Sequence, residues 1–210
     1  TRLMSLFNDD EEKFKMAHFL TLTLPFTVLL YYGEELGMHG TVKRPDSSSD
    51  EEYVRTINAF SWNNSKYGGF PTNPTEGLAD NYLIRNLQDQ NANLSSTWYF
   101  IKNLISLRKS FGLTNNSKLY VDQNLYGHVL GYTITNPIST NNISYKCRII
   151  AVNFNQYQSY DVILKPASDL CPTNNLKIMF SENAETLNFL PNTGVFYRLN
   201  PNARVIIDAF

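Results

Sequence analysis

The order of apolar and polar positions divides the chain into two parts. Asp9 and Asp10 followed by Glu11 and Glu12 predict a helix start: a cap, then acids in the first turn. Phe14, Ala17, His18, Phe19 and Leu20 carry that helix to about Leu24, ahead of Pro25. Thr27 to Tyr32 (TVLLYY) is a nearly continuous apolar run, the pattern of a strand buried on both faces in a parallel sheet. It ends abruptly at Gly33-Glu34-Glu35, and a strand end that turns suddenly polar is where a (β/α) barrel keeps its active site. Gly40 to Asn91 is polar and too long for an ordinary connector. Trp62, Tyr67 and Phe70 interrupt it, which favours a functional loop over disorder. A second helix begins near Ser96, with Thr97 or a neighbour as cap. Trp98, Ile101, Leu104, Ile105 and Leu107 keep helical spacing, Arg108 and Lys109 suit the C-terminal dipole, and Gly112 stops it.

After Ser117 the period changes. Lys118 to Val121, His128 to Thr135, Arg148 to Phe154, Tyr160 to Leu164, Leu176 to Phe180, Gly194 to Leu199 and Ala203 to Ile207 read as short strands. Asn136-Pro137, Asn174-Asn175, Pro191-Asn192 and Asn200-Pro201 read as turns between them. The expected fold class is therefore α/β over residues 1–116, then an all-β domain over 117–210, an antiparallel β-sandwich.

Composition narrows the function. A chain of 210 residues allows one domain or two small ones. A net charge of -1 leaves no basic excess for nucleic acid, so none is expected as a partner. No apolar run reaches the ~18 residues of a membrane span. The first residue is Thr1, so the chain is expected to be a piece of something longer. Tyr and Phe number 13 each, a richness common in sugar-binding proteins and also in ordinary cores. Two cysteines without a nearby histidine cluster make no closed zinc site, and neither a metal nor a cofactor is expected. Cys147 and Cys171 form a disulfide if the protein is secreted and remain free thiols otherwise; the disulfide is the favoured reading. Asn63, Asn93, Asn115 and Asn142 open Asn-x-Ser sequons, all in segments read as loops or element ends. Some arise by chance in a chain where Asn is about one residue in eight.

These segments together resemble a known family. LYYGEELGM at the end of residues 1–38, preceded by a helix and TLTLP, resembles the last strand of the catalytic barrel in the α-amylase family of glycoside hydrolases. Thr1-Arg2 sits where that family has a small loop and an arginine after an Asn-His-Asp motif. RTINAFSW, from Arg55 to Trp62, resembles its Arg-x-Pro-x-x-Trp loop, with two extra residues and no proline. Asn86-Leu87-Gln88 and the helix to Leu107-Arg108-Lys109 resemble its final barrel helix, and Ala151 to Phe154 resemble a strand of its C-terminal sandwich. The resemblance implies the last βα elements of a TIM barrel over 1–116, followed by the sandwich.

It also implies a chemistry that this stretch cannot complete. Retaining glycoside hydrolysis needs two carboxyls ~5–5.5 Å apart. In the family these come from earlier strands, so no catalytic residue is assigned here and this chain alone is expected to be inactive. Glu34 and Glu35, adjacent on a strand, would point to opposite faces, so they are read as structural groups at the barrel mouth. By resemblance, Arg55 holds the sugar beside the scissile bond, with Glu51 or Glu52 as its acid, or else is a solvated loop charge. Trp62 walls the pocket or packs its own loop. Arg2 orients a missing catalytic carboxylate or pairs with Asp9 or Asp10. His18 is read as a core-edge histidine. The implied whole is the C-terminal part of a secreted or lysosomal α-glucosidase or α-amylase, with an oligosaccharide or polysaccharide substrate and the rest of the barrel as partners. The alternative is a catalytically inactive relative, such as an amino-acid-transporter heavy chain or a scaffold subunit.

Overall fold

A computed structural model describes residues 2–40, 57–123, 125–137, 145–173, 175–190 and 193–210. Glu51, Glu52, Arg55 and Asn142 lie outside the described residues. The chain forms two compact units, one of residues 1–22 and 27–106, the other of 23–26 and 107–210. The second unit begins before the expected boundary at 116/117, because the last turn of the second long helix packs on the sheet.

In the first unit a short helix, α1 (Leu3–Leu6), precedes α2 (Glu11–Thr23). Four residues are too few to show a period, so α1 left no signal in the sequence. Asp10 caps α2 as expected: its Oδ1 accepts the Lys13 N–H at 3.1 Å. The helix buries Phe14, Met16, His18, Phe19 and Leu22. Thr27 to Tyr32 is not a strand. It runs without ladder partners among the described residues, and Leu29 is 93% exposed. A strand exists only through its neighbours, and among the described residues of this unit the only β pairing is one isolated bridge, Ala59 with Leu78. Gly33, at φ 83°, then turns the chain into a 3₁₀ turn, Glu34–Leu36. A Cβ at Gly33 would lie 2.3 Å from Met38 Sδ, so both the backbone angle and the space call for glycine.

The polar stretch is organised where it is described. Leu36, Met38 and Ala79 form a small core against Phe60, Tyr82, Leu87 and Trp98. Asn86 caps α3 (Leu87–Asn91), accepting the Asp89 N–H at 3.0 Å. Buried Gln90 donates to Leu36 O at 2.7 Å, and its Oε1 accepts from Thr97 Oγ1 and the Trp98 N–H. Gln90 thereby fixes the start of α4 (Thr97–Phe111), where Ser96 Oγ also accepts the Tyr99 N–H. Gly112, at φ 70°, ends that helix.

The second unit contains β1 (Lys118–Val121), β2 (Val129–Pro137), β3 (Tyr145–Asn153), β4 (Tyr160–Leu164), β5 (Leu176–Leu190) and β6 (Gly194–Ala209). All pairings are antiparallel, in the order β1-β2-β3-β6-β4, with β5 also on β6. β6 joins the two last runs of the sequence reading into one strand, since Asn200-Pro201 bends the chain without ending the pairing. Asn202 takes φ 58° there, and the register of β5 shifts opposite. The first half of β6 pairs with β4 and the second half with β3, and both line one core with Ile149, Val162 and Leu164. Cys147 and Cys171 are joined, with S–S 2.05 Å, and the bond is packed against Ala209 and Leu176. Closing such a loop stabilises by about 3–4 kcal/mol in the chain-entropy account. No helix among the described residues is long and apolar enough to cross a membrane.

One buried ion pair ties this unit together. Arg148 on β3 donates from Nε and Nη2 to both Asp208 oxygens on β6, at 2.6 and 2.8 Å. Its Nη1 donates to Leu107 O at 2.6 Å, and its guanidinium lies 4.5 Å from the Phe111 ring. Asp208→Ala is expected to cost about 3–5 kcal/mol, because it strands a buried cation. Arg148→Met with Asp208→Leu should cost clearly less. Urea midpoints of the two variants check this; equal losses would mean the pair itself, and not the stranded charge, sets the cost.

Candidate functional site

The residues singled out in the first unit converge where the chain turns after Tyr32. Arg2 is 1% exposed. Its Nη1 donates to Tyr32 O at 2.7 Å and its Nη2 to Asn58 Oδ1 at 2.8 Å. The guanidinium stands 5.0 Å from the ring centres of both Tyr31 and Tyr32. Asp9 and Asp10 are not its partners: Asp9 lies 2.8 Å from His39 Nε2, and Asp10 pairs with Lys13. Burial explains the choice, since both aspartates sit at the surface end of α2.

Glu34 lies under Arg2, Oε1 to Nη1 at 3.7 Å, and is itself buried. Burial raises its carboxyl pKa, and the guanidinium opposes the rise. Its other oxygen is 3.9 Å from His18 Nε2. His18 is buried on α2 against the Phe14 ring, and burial pushes its pKa down to about 4, so the imidazole is neutral at pH 7. Arg2 Nε, His18 Nε2 and Glu34 Oε2 have no hydrogen-bond partner among the described residues. A loosely matched cation, acid and base in one buried place mark a functional candidate more than a stability device. Glu35 sits beside Glu34 in the same 3₁₀ turn and is half-buried. The strand expected to point the two carboxyls to opposite faces is absent, so that alternation does not apply to them: Glu34 is buried beneath Arg2, and Glu35 follows it in the turn.

Asn58 and Asn81 were invisible as site residues in the sequence. Asn58 accepts from Arg2, donates to His39 O at 2.6 Å, and offers its own carbonyl to Tyr32 Oη at 2.8 Å. Asn81 accepts the His39 N–H and donates to Gly37 O, each at 2.9 Å. A short amide side chain in a polar loop carries no periodic signal. Only its buried neighbours reveal the role.

Trp62 is half exposed and packs edge-on against Phe60, with ring centres 4.6 Å apart. Its backbone bridges the Gly68 carbonyl and the Gln88 N–H. Its contacts are with its own loop and α3, not with Arg2. Asn63 is partly exposed, and Asn93 and Asn115 are exposed. The described residues contain no cluster of three His, Cys, Asp or Glu side chains able to hold a metal.

Between pH 6.5 and about 4 the unfolded chain protonates His18 while the folded chain resists. Stability therefore falls as pH drops through that window, by on the order of 2–3 kcal/mol. Glu34 works the other way: its raised pKa lets the folded state take up a proton first, which offsets part of the loss. His18→Gln should flatten the fall in melting temperature between pH 7 and pH 4.5. An equal fall in both proteins would show that His18 titrates normally.

Residues 1–117 match the family model described as alpha amylase, catalytic domain. The chain is similar to Alpha-amylase 3 of Dictyoglomus thermophilum, at 30% identity over 121 residues, 56% of this chain and 22% of that protein. It is similar to the Alpha-glucosidase of Apis mellifera at 30% over 124 residues, 52% of this chain and 22% of that protein. The chain thus spans about a fifth of the length of these relatives. Among solved structures, trehalose-6-phosphate hydrolase of Bacillus licheniformis aligns with a TM-score of 0.70 at 18% identity, over 99% of this chain and 41% of that one. Isomaltulose synthase of Erwinia rhapontici NX5 aligns with a TM-score of 0.68 at 21% identity, again over 99% and 41%. These two show a shared fold. With more than half its length matched by the family model, the chain belongs to the α-amylase family.

Proposed function

We propose that the chain is the C-terminal part of a glycoside hydrolase that acts on α-linked glucosides by a retaining mechanism. The observation that carries this reading is the catalytic-domain match over residues 1–117, which covers the Arg2–Glu34–Asn58 centre. The relatives named as an alpha-amylase and an alpha-glucosidase supply the substrate class. In the whole barrel, Thr27 to Tyr32 would become a strand by pairing with neighbours supplied from other segments. Its exposed Leu29, Leu30, Tyr31 and Tyr32 are the apolar surface such neighbours would cover. The six-stranded sheet is the counterpart of the family's C-terminal sandwich.

The division of chemistry follows. The two carboxyls that attack and protonate lie on the preceding strands, and this chain holds the mouth of the barrel in shape. Arg2 is a positioning residue: it fixes the carbonyl of Tyr32 and the loop at Asn58, and its unpartnered Nε would be the donor left for a catalytic carboxylate. Arg55, with Glu51 or Glu52, grips the sugar next to the scissile bond, and Trp62 offers a stacking face. The disulfide and the sequons fit a secreted or lysosomal protein.

Full-length protein and the 210-residue chain should be assayed separately on maltose, with anomers followed by NMR. The full-length protein is expected to release the α-anomer first, and the 210-residue chain to release nothing. Hydrolysis by the short chain would overturn this division, and a silent full-length protein would point to an inactive relative. In the active protein, Arg55→Ala should lower kcat/KM by about 10- to 150-fold, the worth of one charge-assisted hydrogen bond. Unchanged kinetics would return Arg55 to a solvated loop.

A further inference from the structure

The second unit carries an open groove of about 650 Å³ that the catalytic reading leaves unused. Strand register builds one wall. Asp161 on β4 faces Arg198 on β6, and Arg198 faces Glu185 on β5, so three charged side chains stand in a row across three strands. Arg198 donates from Nε and Nη2 to the two Asp161 oxygens at 2.8 and 2.9 Å. Asn200 donates to Glu185 Oε1 at 3.0 Å and accepts from Ser159 Oγ at 3.0 Å. The wall is therefore pre-ordered rather than a set of independent surface side chains.

An aromatic ring borders the row. Tyr126 is 61% exposed, yet it is fixed at two points. Its ring meets Tyr160 edge-on at 5.9 Å, and its hydroxyl donates to Asp161 O at 3.3 Å. Gly127 makes the approach possible, since a Cβ there would lie 2.6 Å from the Tyr160 ring. The atoms left over are complementary in kind. Arg198 Nη1 and Gln158 Nε2 are donors, and Glu185 Oε2 is an acceptor. All three border the groove without a hydrogen-bond partner among the described residues.

Fixed donors and acceptors beside one exposed tyrosine face match a ring that is apolar on its faces and hydroxylated at its rim. Charge narrows the ligand further. Arg198 is already neutralised by Asp161, and Glu185 leaves the groove net negative, which disfavours phosphorylated or carboxylated sugars. We infer that this groove is a second carbohydrate site, taking a neutral oligosaccharide or the end of a neutral glucan. The inference goes beyond the catalytic reading and does not depend on it.

Native electrophoresis of the full-length protein in gels with and without amylopectin tests it, beside hydrolysis of maltose. The unsubstituted protein is expected to be retarded by the glucan. Tyr126→Ala should weaken the apparent affinity about tenfold, Tyr126→Trp should retain it, and neither should change hydrolysis. Absence of retardation, or equal retardation of Tyr126→Ala, would overturn the groove as a glucan site. A protein that is retarded but does not hydrolyse maltose would reject the catalytic reading alone, and one that hydrolyses without retardation would reject this site alone.

Discussion

Burial of the Arg2 guanidinium is the constraint around which the first unit is arranged. A cation at 1% exposure must find acceptors, and the acceptors available are the carbonyl of Tyr32 and the amide oxygen of Asn58. Meeting that demand brings together the start of the chain, the turn after Tyr32 and the loop around Asn58. Glu34 follows, since its buried carboxyl is tolerable only near a positive charge. The match stays loose, with one nitrogen of the guanidinium and one oxygen of Glu34 unused. Unused polarity of this kind is costly in a core and useful at a site that must respond to a substrate.

The second unit solves a similar problem tightly. Arg148 meets Asp208 through two parallel hydrogen bonds and donates from its third nitrogen to Leu107 O. Every guanidinium nitrogen and both carboxylate oxygens are engaged, so this pair specifies how the last turn of α4 sits on β3 and β6. The contrast between Arg148 and Arg2 separates a centre built to hold shape from one that keeps capacity for another group.

Where local chemistry decides, the sequence was legible. Asp10 caps α2, the start at Ser96 and the stop at Gly112 delimit α4, and the cysteines pair. The β-rich runs mark most of the strands. Where partners decide, it was not. TVLLYY has the composition of a buried strand, but pairing depends on neighbours that the described residues do not supply. Asn200-Pro201 has the chemistry of a turn, yet β6 continues through it because partners on both flanks hold it. The polar anchors Asn58, Asn81 and Gln90 lie in a stretch whose composition says only loop. Their anchoring bonds reach residues 19 to 56 positions away in sequence, beyond the reach of any local pattern.

The central place of β6 has a consequence for biosynthesis. β3, β4 and β5 all pair with it, and it is the last of the six strands to be made. While a ribosome adds roughly 5–20 residues per second, β4 waits for seconds with its edge groups unsatisfied and its apolar face open to other nascent chains. β1, β2 and β3 can pair in the order they are made, but β4 and β5 have no ladder partner until β6 emerges, so a chain stalled before Gly194 would present the cell's chaperones with a half-built sheet and two orphan strands.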